Sequence, residues 1–425
     1  MDSTTQPPRT ALRHAGLLAA VFLGVGVAMP FVPPFLASRG LTAGEVAVVL
    51  FAGSVIRFLA GPPLGRAADR LGDGRLLLIP CGLAAALAAL LYLAADGFLA
   101  LLILMAAFSL AIAPIVPLAE ALWVAAAQRE RLDYGRVRAA GSAAFILAAL
   151  ATGWLATRAG TEAVPPLLAG SYLAVVVAAW WLPRAAGPAP AARGGVFALH
   201  LFRVPGFTRL VVLSALIQGS HAAYYGFGSI HWLRAGHSAD SIGLLWAEAV
   251  LVEVALFFWA GRLFAGWSPR ALTLLAVGAV ILRWTGTAAT TDLAALLALQ
   301  ALHAVTFGAQ HLAAMRWIAA HAPPGEALSM QSLHAALGGT ASIALGTLAA
   351  GPLYAGSGAG VFLAAALMGF AALPVAWTWR EGGVPDERSY DAGQPRITMA
   401  PCENTSTSLV VKSSRGSRAA STPPK

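Results

Sequence analysis

The sequence predicts an all-α polytopic membrane protein, with about twelve transmembrane helices in two pseudo-symmetric six-helix bundles. Three observations lead there. The chain has 425 residues, 58% hydrophobic and only 11% charged, with a mean hydropathy of +0.72, whereas a soluble domain carries roughly 25% charged residues. Many apolar runs reach the ~20 residues needed to cross a hydrocarbon core of ~30 Å. The loop arginines also fall mostly on one side: Arg66, Arg70, Arg75, Arg129, Arg131, Arg136, Arg138, Arg184, Arg193, Arg203, Arg209, Arg262 and Arg270, against Arg39, Arg158 and Arg234. By the positive-inside rule this asymmetry sets both termini in the cytoplasm, which needs an even number of spans.

A polar arm, residues 1–13, precedes the first span, about His14 to Ser38, where Gly24 and Gly26 permit close packing. Pro30, Pro33 and Pro34 should kink or break its outer end. They stand where a signal peptide would have a small-residue cleavage site, so no cleavable signal is expected. The second span, about Ala43 to Leu64, holds Arg57 in its interior, and a charged loop from Gly65 to Arg75 follows. Spans three and four run about Leu76 to Ala95 and Phe98 to Val124, the fourth with Pro114, Pro117 and Glu120. After the charged loop 128–138, spans five and six cover about Ala139 to Thr157 and Val164 to Leu182, closing the first bundle at 14–182. The Pro/Ala/Gly/Arg-rich stretch 183–206 is a cytoplasmic linker. The second bundle, 207–379, opens with the pair from Leu213 to Phe264 and continues with about Ala271 to Thr290, Leu293 to Ile318, Leu328 to Tyr354 and Gly360 to Trp379. The tail, 380–425, is rich in Ser, Thr, Pro and charge and is expected to be disordered, with its sequon at Asn404 idle in the cytoplasm.

The halves repeat. Gly40-Leu41-Thr42-Ala43 resembles Gly236-His237-Ser238-Ala239 at an offset of 196 (236 − 40). The same shift sets Phe31 on Phe227, Gly65-Arg66 on Gly261-Arg262, Arg57 on Glu253 and Glu120 on Arg316. Parallel repeats about an axis along the membrane normal are a transporter device.

The net charge of +9 lies mostly in loops and tails, so no nucleic-acid partner is expected. Cys81 and Cys402 are far apart, and neither a disulfide, a metal site nor a cofactor is expected. No nucleophile, metal cluster or carboxylate pair stands in an enzyme-like context. Scarce lysine beside abundant arginine and alanine suggests a GC-rich bacterial genome and hence an inner membrane. The expected partners are a small-molecule substrate, protons and the bilayer, with the chain acting as a monomer.

The chemistry concentrates in charges kept inside apolar runs. Glu253 is flanked by Val250, Leu251, Val252, Val254, Ala255 and Leu256. A charge there costs ~2.5–3.5 kcal/mol on insertion scales, and such groups face a bundle interior or a water-filled path. Its neighbour Glu248 lies nearer the outer end. The bland alternative for Glu253 is a satisfied interhelical hydrogen bond. For an organic anion, Arg57 and Arg283 could grip a carboxylate through paired hydrogen bonds, although Arg283 could instead snorkel to the surface. Gln218, His221 and Tyr225 share a helix face at i, i+3 and i+7. Tyr224, Tyr225 and Phe227 could stack on an aromatic substrate or serve as packing. Glu120 and Arg316, opposite charges at equivalent positions near the inner ends of spans four and ten, could attract each other across a closed cytoplasmic gate. The alternative is pairing within each half, for example Glu120 with Arg129 or Arg131.

Twelve spans in two halves, with Gly65, Asp69-Arg70, Gly72 and Arg75 after the second, resemble the major facilitator superfamily. Asp73-Gly74 intervenes where that loop signature is usually tighter. Asp133-Tyr134-Gly135-Arg136-Val137-Arg138, Gly219-Ser220-His221-Ala222-Ala223-Tyr224-Tyr225-Gly226-Phe227 and His311-Leu312-Ala313-Ala314-Met315-Arg316 resemble its phenylpropionate permease branch, related to lactose-permease-like and nucleoside proton symporters. The resemblance covers about Gly16 to Trp379. It implies proton-coupled import, by alternating access, of a small organic solute such as an aromatic acid. The alternatives are a sugar or nucleoside symporter, or proton-driven efflux of amphipathic compounds; the Gly/Pro signature of exporters is not evident in Gly141 to Gly153. It also implies a coupling group of Glu253, Arg283 and His303 or His311, and a gating role for Asp69 and Arg70.

Overall fold

The computed structural model describes residues 9–130, 134–183 and 199–380. The first eight residues, the loop at 131–133, linker residues 184–198 and the tail from 381 lie outside the described residues, and with them Arg131, Asp133, Arg184, Arg193 and the sequon at Asn404. Among the described residues there is no strand. The helical segments are α1 (Arg9–Ser38), α2 (Ala43–Leu71), α3 (Arg75–Ala94), α4 (Phe98–Glu130), α5 (Tyr134–Ala159), α6 (Thr161–Trp181), α7 (207–234), α8 (Ala239–Leu263), α9 (Pro269–Ala289), α10 (Leu293–His321), α11 (Ala327–Ser357) and α12 (Gly360–Trp377). Eleven are each long and apolar enough to cross a membrane. The twelfth, α7, is interrupted: Phe207–Gly219 ends in a turn at Ser220 and His221, and a π-helical stretch, Tyr224–Gly228, leads into Ser229–Arg234.

Several boundaries differ from the sequence expectation. Helix α1 runs through Pro30, Pro33 and Pro34 without a break. Each proline forfeits one backbone bond, and neighbouring helices hold a membrane helix together through such a loss. Helix α2 runs on through Gly65 to Leu71, so the first part of the charged signature is helix, not loop. The turn comes at Gly72, whose φ of 68° lets its N–H cap the Ala68 and Asp69 carbonyls. Helix α4 continues to Glu130 after a break at Ala113 and Pro114, which leaves Glu120 ten residues from its end (130 − 120).

The repeat is built into the backbone. Thr42 caps α2 and Ser238 caps α8 (238 − 42 = 196), each accepting from a backbone N–H at 3.3 Å. The turns before them need a left-handed residue, supplied by Gly40 at φ 82° and Gly236 at φ 96°.

The halves meet along two seams, α5 with α8 and α2 with α11. In the first seam a Cβ at Gly153 would stand 2.5 Å from the Ala239 carbonyl oxygen, and one at Gly243 would stand 2.5 Å from that of Ala149. In the second, Gly351 lies against Ala43 and Ala47. Both close approaches lie at the arginine-poor end, where Arg158 also reaches Asp240 across the seam at 3.7 Å. Within the first half, Arg39 ties Asp96 (3.2 Å) and Glu162 (2.7 Å) together there. Toward the arginine-rich end the packing thins. Helix α8 buries six of its residues between Ile242 and Ala249 but only Leu256 and Ala260 beyond, and α2 buries only Ala68 after Gly53. The bundle is therefore closed at one end and splayed at the other.

Candidate functional site

The second half holds a buried polar network centred on Arg283 of α9, whose side chain is fully enclosed. Its guanidinium donates to Gln300 Oε1 (2.5 Å), His303 Nδ1 (3.0 Å) and Thr306 Oγ1 (3.2 Å), all on α10. It also lies over the rings of Trp284 (4.4 Å) and Tyr224 (5.0 Å), where the ring faces attract a cation. Trp284 is fixed by its own bond to Ser220 (2.9 Å). Arg283 does not snorkel; it is a structural centre.

The hydrogen-bond directions follow from chemistry. A guanidinium can only donate, so His303 accepts at Nδ1 and carries its proton on Nε2. That nitrogen faces Glu253 Oε2 at 3.3 Å. Arg283, His303 and Glu253 thus form a chain across α9, α10 and α8. His221 donates from Nδ1 to the Ile217 carbonyl (3.0 Å), which leaves Nε2 to accept from the Thr306 hydroxyl (3.0 Å). Glu253 retains 22% side-chain exposure, so the chain runs from a closed interior to an open edge.

The structure places the two histidines differently. His303 joins the chain, while His311 is exposed one aromatic layer away, stacked on Phe307 (6.4 Å), which stacks on His303 (5.6 Å). In α7, Tyr224 is sandwiched between Arg283 and Trp246 (4.4 Å), and Phe227 is buried on Tyr354 (5.0 Å). Both rings are occupied by protein in this state. Tyr225 is partly exposed beside Trp246, and Gln218 is 9% exposed with its Oε1 unbonded. The turn at Ser220 interrupts the regular spacing expected for Gln218, His221 and Tyr225.

In the first half, Arg57 is exposed and, among the described residues, bonds only to hydroxyls, Ser54 (3.1 Å) and Ser109 (3.5 Å). Around it stand the buried rings of Tyr92, Phe108 and Tyr172. Glu120 and Arg316 do not meet. Glu120 pairs with Arg138 at 3.6 Å inside its own half, and Arg316 donates to the Phe264 (3.0 Å) and Trp267 (2.8 Å) carbonyls inside the other. Asp69 and Arg70 are exposed at the end of α2; the ion pair of that signature is Asp73 with Arg75 (2.6 Å), and Arg75 also holds the Leu182 carbonyl (2.9 Å). Sequence reasoning missed Gln300 and Thr306, whose polarity is too modest to stand out in an apolar run. It also placed Arg138 in a loop, whereas α5 begins at Tyr134 and sets Arg138 beside Glu120, within electrostatic reach of Glu253. No cluster of three or more metal-binding side chains occurs among the described residues.

Comparison with known proteins agrees with this architecture. Residues 13–364 match the model of the MFS_1-like family. The chain is 35% identical over 359 residues to a probable 3-phenylpropionic acid transporter of Escherichia coli K12, covering 83% of this chain and 93% of that protein. It is 27% identical over 273 residues to the maltose permease of Geobacillus stearothermophilus, 63% of this chain and 68% of that one. Among solved structures, the nucleoside transporter NupG superposes with a TM-score of 0.77 at 14% identity, over 87% of this chain and all of that one. A bacterial homologue of the human lysosomal transporter Spinster, in an inward-facing and occupied conformation, gives 0.69 at 13% identity over 88% of this chain and 97% of that one. With its helical halves, its network on α8 to α10 and these relatives, the chain belongs to the MFS_1-like family and is a multi-pass transporter of the major facilitator type.

Proposed function

We propose that the protein imports a small aromatic carboxylate, of the phenylpropionate kind, together with protons across a bacterial inner membrane. The observation that carries the reading is the chain from Arg283 through His303 to Glu253. It gives a carboxylate in a mostly apolar wall a path to a fixed buried cation, and its free edge lies on the splayed side. With both termini cytoplasmic, as the arginine asymmetry supports, that splayed side faces the cytoplasm. Glu253 would then release its proton inward and reload it when the seams open at the other end. Arg57, bonded only to two serine hydroxyls, has donors left for a substrate carboxylate, and the rings of Tyr92, Phe108 and Tyr172 give its neighbourhood an aromatic lining. The 35% identity to the probable 3-phenylpropionic acid transporter supports that substrate class.

The test is uptake by the purified protein in proteoliposomes. 3-Phenylpropionate should accumulate above equilibrium when the lumen is alkaline, and a protonophore should collapse the gradient. Equal uptake with and without the pH gradient would remove the coupling. Transport of maltose or a nucleoside in its place would remove the substrate class.

A further inference from the structure

Two carboxylates of α8 bear on Arg283, and the proposed coupling uses only one. Glu253 reaches the guanidinium through His303. Glu248 lies five residues earlier (253 − 248), about 7.5 Å along the axis at 1.5 Å per residue, and its charge acts on both Arg283 and Tyr224. Every side-chain hydrogen bond of Arg283 ends on a neutral acceptor: Gln300, His303 or Thr306. A cation enclosed in protein needs an opposite charge as well as hydrogen bonds.

The unpaired atoms show where that charge belongs. Arg283 Nε and Glu248 Oε2 are both buried and without a hydrogen bond, and the buried Tyr224 hydroxyl and Gln300 Nε2 have no partner but each other. Arg283, Tyr224 and Gln300 are each at most 2% exposed. Three of the four atoms are donors, and Glu248 Oε2 is the acceptor that matches them. The groups stand around one guanidinium, since Gln300 is bonded to it and Tyr224 lies beneath it.

We infer that Glu248 is the resident counter-ion of Arg283, held on the Tyr224 and Gln300 side of the guanidinium, and that this leaves Glu253 free to carry the coupling proton. The inference rests on the proton-coupled reading above and divides the labour within it. Glu248 stays ionised and positions Arg283. Glu253 gains one proton and loses one charge, and the guanidinium remains compensated throughout. The groups facing this pair are Tyr224, Tyr225 and His221 on α7, Arg283 on α9, Gln300, His303 and His311 on α10, and Arg138 on α5. Without Glu248 the cation would draw on Glu253 alone, and Glu253 would hold its proton less readily.

The experiment is the pH profile of 3-phenylpropionate exchange in proteoliposomes for wild type, Glu248→Gln, Glu248→Asp and Tyr224→Phe. Glu248→Gln should move the half-maximal pH to the acid side by about one unit, a tenfold change in proton binding. Exchange should recover as the pH falls, and Glu248→Asp should keep the wild-type profile. Tyr224→Phe retains the ring between Trp246 and Arg283 and removes only the hydroxyl; it should shift the profile the same way by less. An unshifted Glu248→Gln profile overturns the inference, as does loss of exchange at every pH from a folded variant. If Glu248→Gln does not fold, an unshifted Tyr224→Phe profile overturns it. Glu253→Gln measured alongside separates the two ideas. Should it still accumulate substrate, the coupling reading itself fails; should it lose accumulation while Glu248→Gln is unshifted, only the present inference fails.

Discussion

At position 57 the second helix of the first half carries an arginine; at the equivalent position of the second half, 253 (57 + 196), the eighth helix carries a glutamate. The backbones match down to the capping residue, yet the two side chains live differently. Arg57 is exposed and touches two hydroxyls. Glu253 is paired with a histidine that is itself held by a buried arginine. The first half presents an uncommitted cation among aromatic rings, and the second presents a chain of committed partners. On the function proposed above, one scaffold used twice separates holding a ligand from handling a proton, because a cation that must exchange ligands cannot also be locked into a network.

The contrast can be broken most severely at Glu253. Glu253→Gln should reduce substrate accumulation under a pH gradient of one unit from about tenfold to about unity, while exchange at equal pH persists. Accumulation at the wild-type level would make Glu253 a structural residue. Next in size is the seam that both halves share. Gly243→Val places carbon against the Ala149 carbonyl, and overpacking of this kind costs about 2 kcal/mol, roughly thirtyfold in the population of the state closed at that end. A cysteine label at the arginine-poor end should then react in a protein where it is otherwise shielded. Arg57→Gln sharpens the contrast. It should raise KM for an aromatic carboxylate about tenfold, ~1.4 kcal/mol, with the accumulation ratio at saturation unchanged. A changed ratio with constant KM would give Arg57 the role assigned to Glu253. The smallest effect belongs to Glu120→Gln, because the pair with Arg138 is more than a third exposed on both sides. Pairs of that kind contribute ~0–1 kcal/mol, so labelling of cysteines at the splayed end should change by less than about fivefold.

Much of this contrast is legible in the sequence. An ionised side chain inside an apolar run is rare enough to identify Glu253, Arg57 and Arg283 without a structure, and the 196-residue offset aligns helices whose caps the structure then shows to match. What could not be read was the different placement of His303 and His311. A π-helical stretch, Ala304–Ala309, lies between them, and a surplus residue there turns everything beyond it by about 100° relative to an α-helix. No regular spacing predicts which face His311 takes. The same holds for Tyr224 and Tyr225, whose stretch is also π-helical. The meeting of Glu120 with Arg316 is expected across a closed cytoplasmic gate, from equivalent positions near the inner ends of spans four and ten, and this structure is splayed at its arginine-rich end. In the structure α4 runs on to Glu130, so Glu120 stands well inside the helix, where Arg138 of α5 is its neighbour.

The bonding of Arg283 also bears on how the chain enters a bilayer during synthesis. Its side-chain hydrogen bonds all end on α10, the next helix to be made, across a turn of three residues, Thr290 to Asp292. Helix α9 alone would carry a bare guanidinium into hydrocarbon at ~2.5–3.5 kcal/mol. Paired with α10 it delivers the cation already solvated by an amide, an imidazole and a hydroxyl. Helices α9, α10 and α11 are among the least apolar spans of the chain, so the lowest-cost unit of insertion here is a helical hairpin, and the network around Arg283 is first a means of getting α9 across.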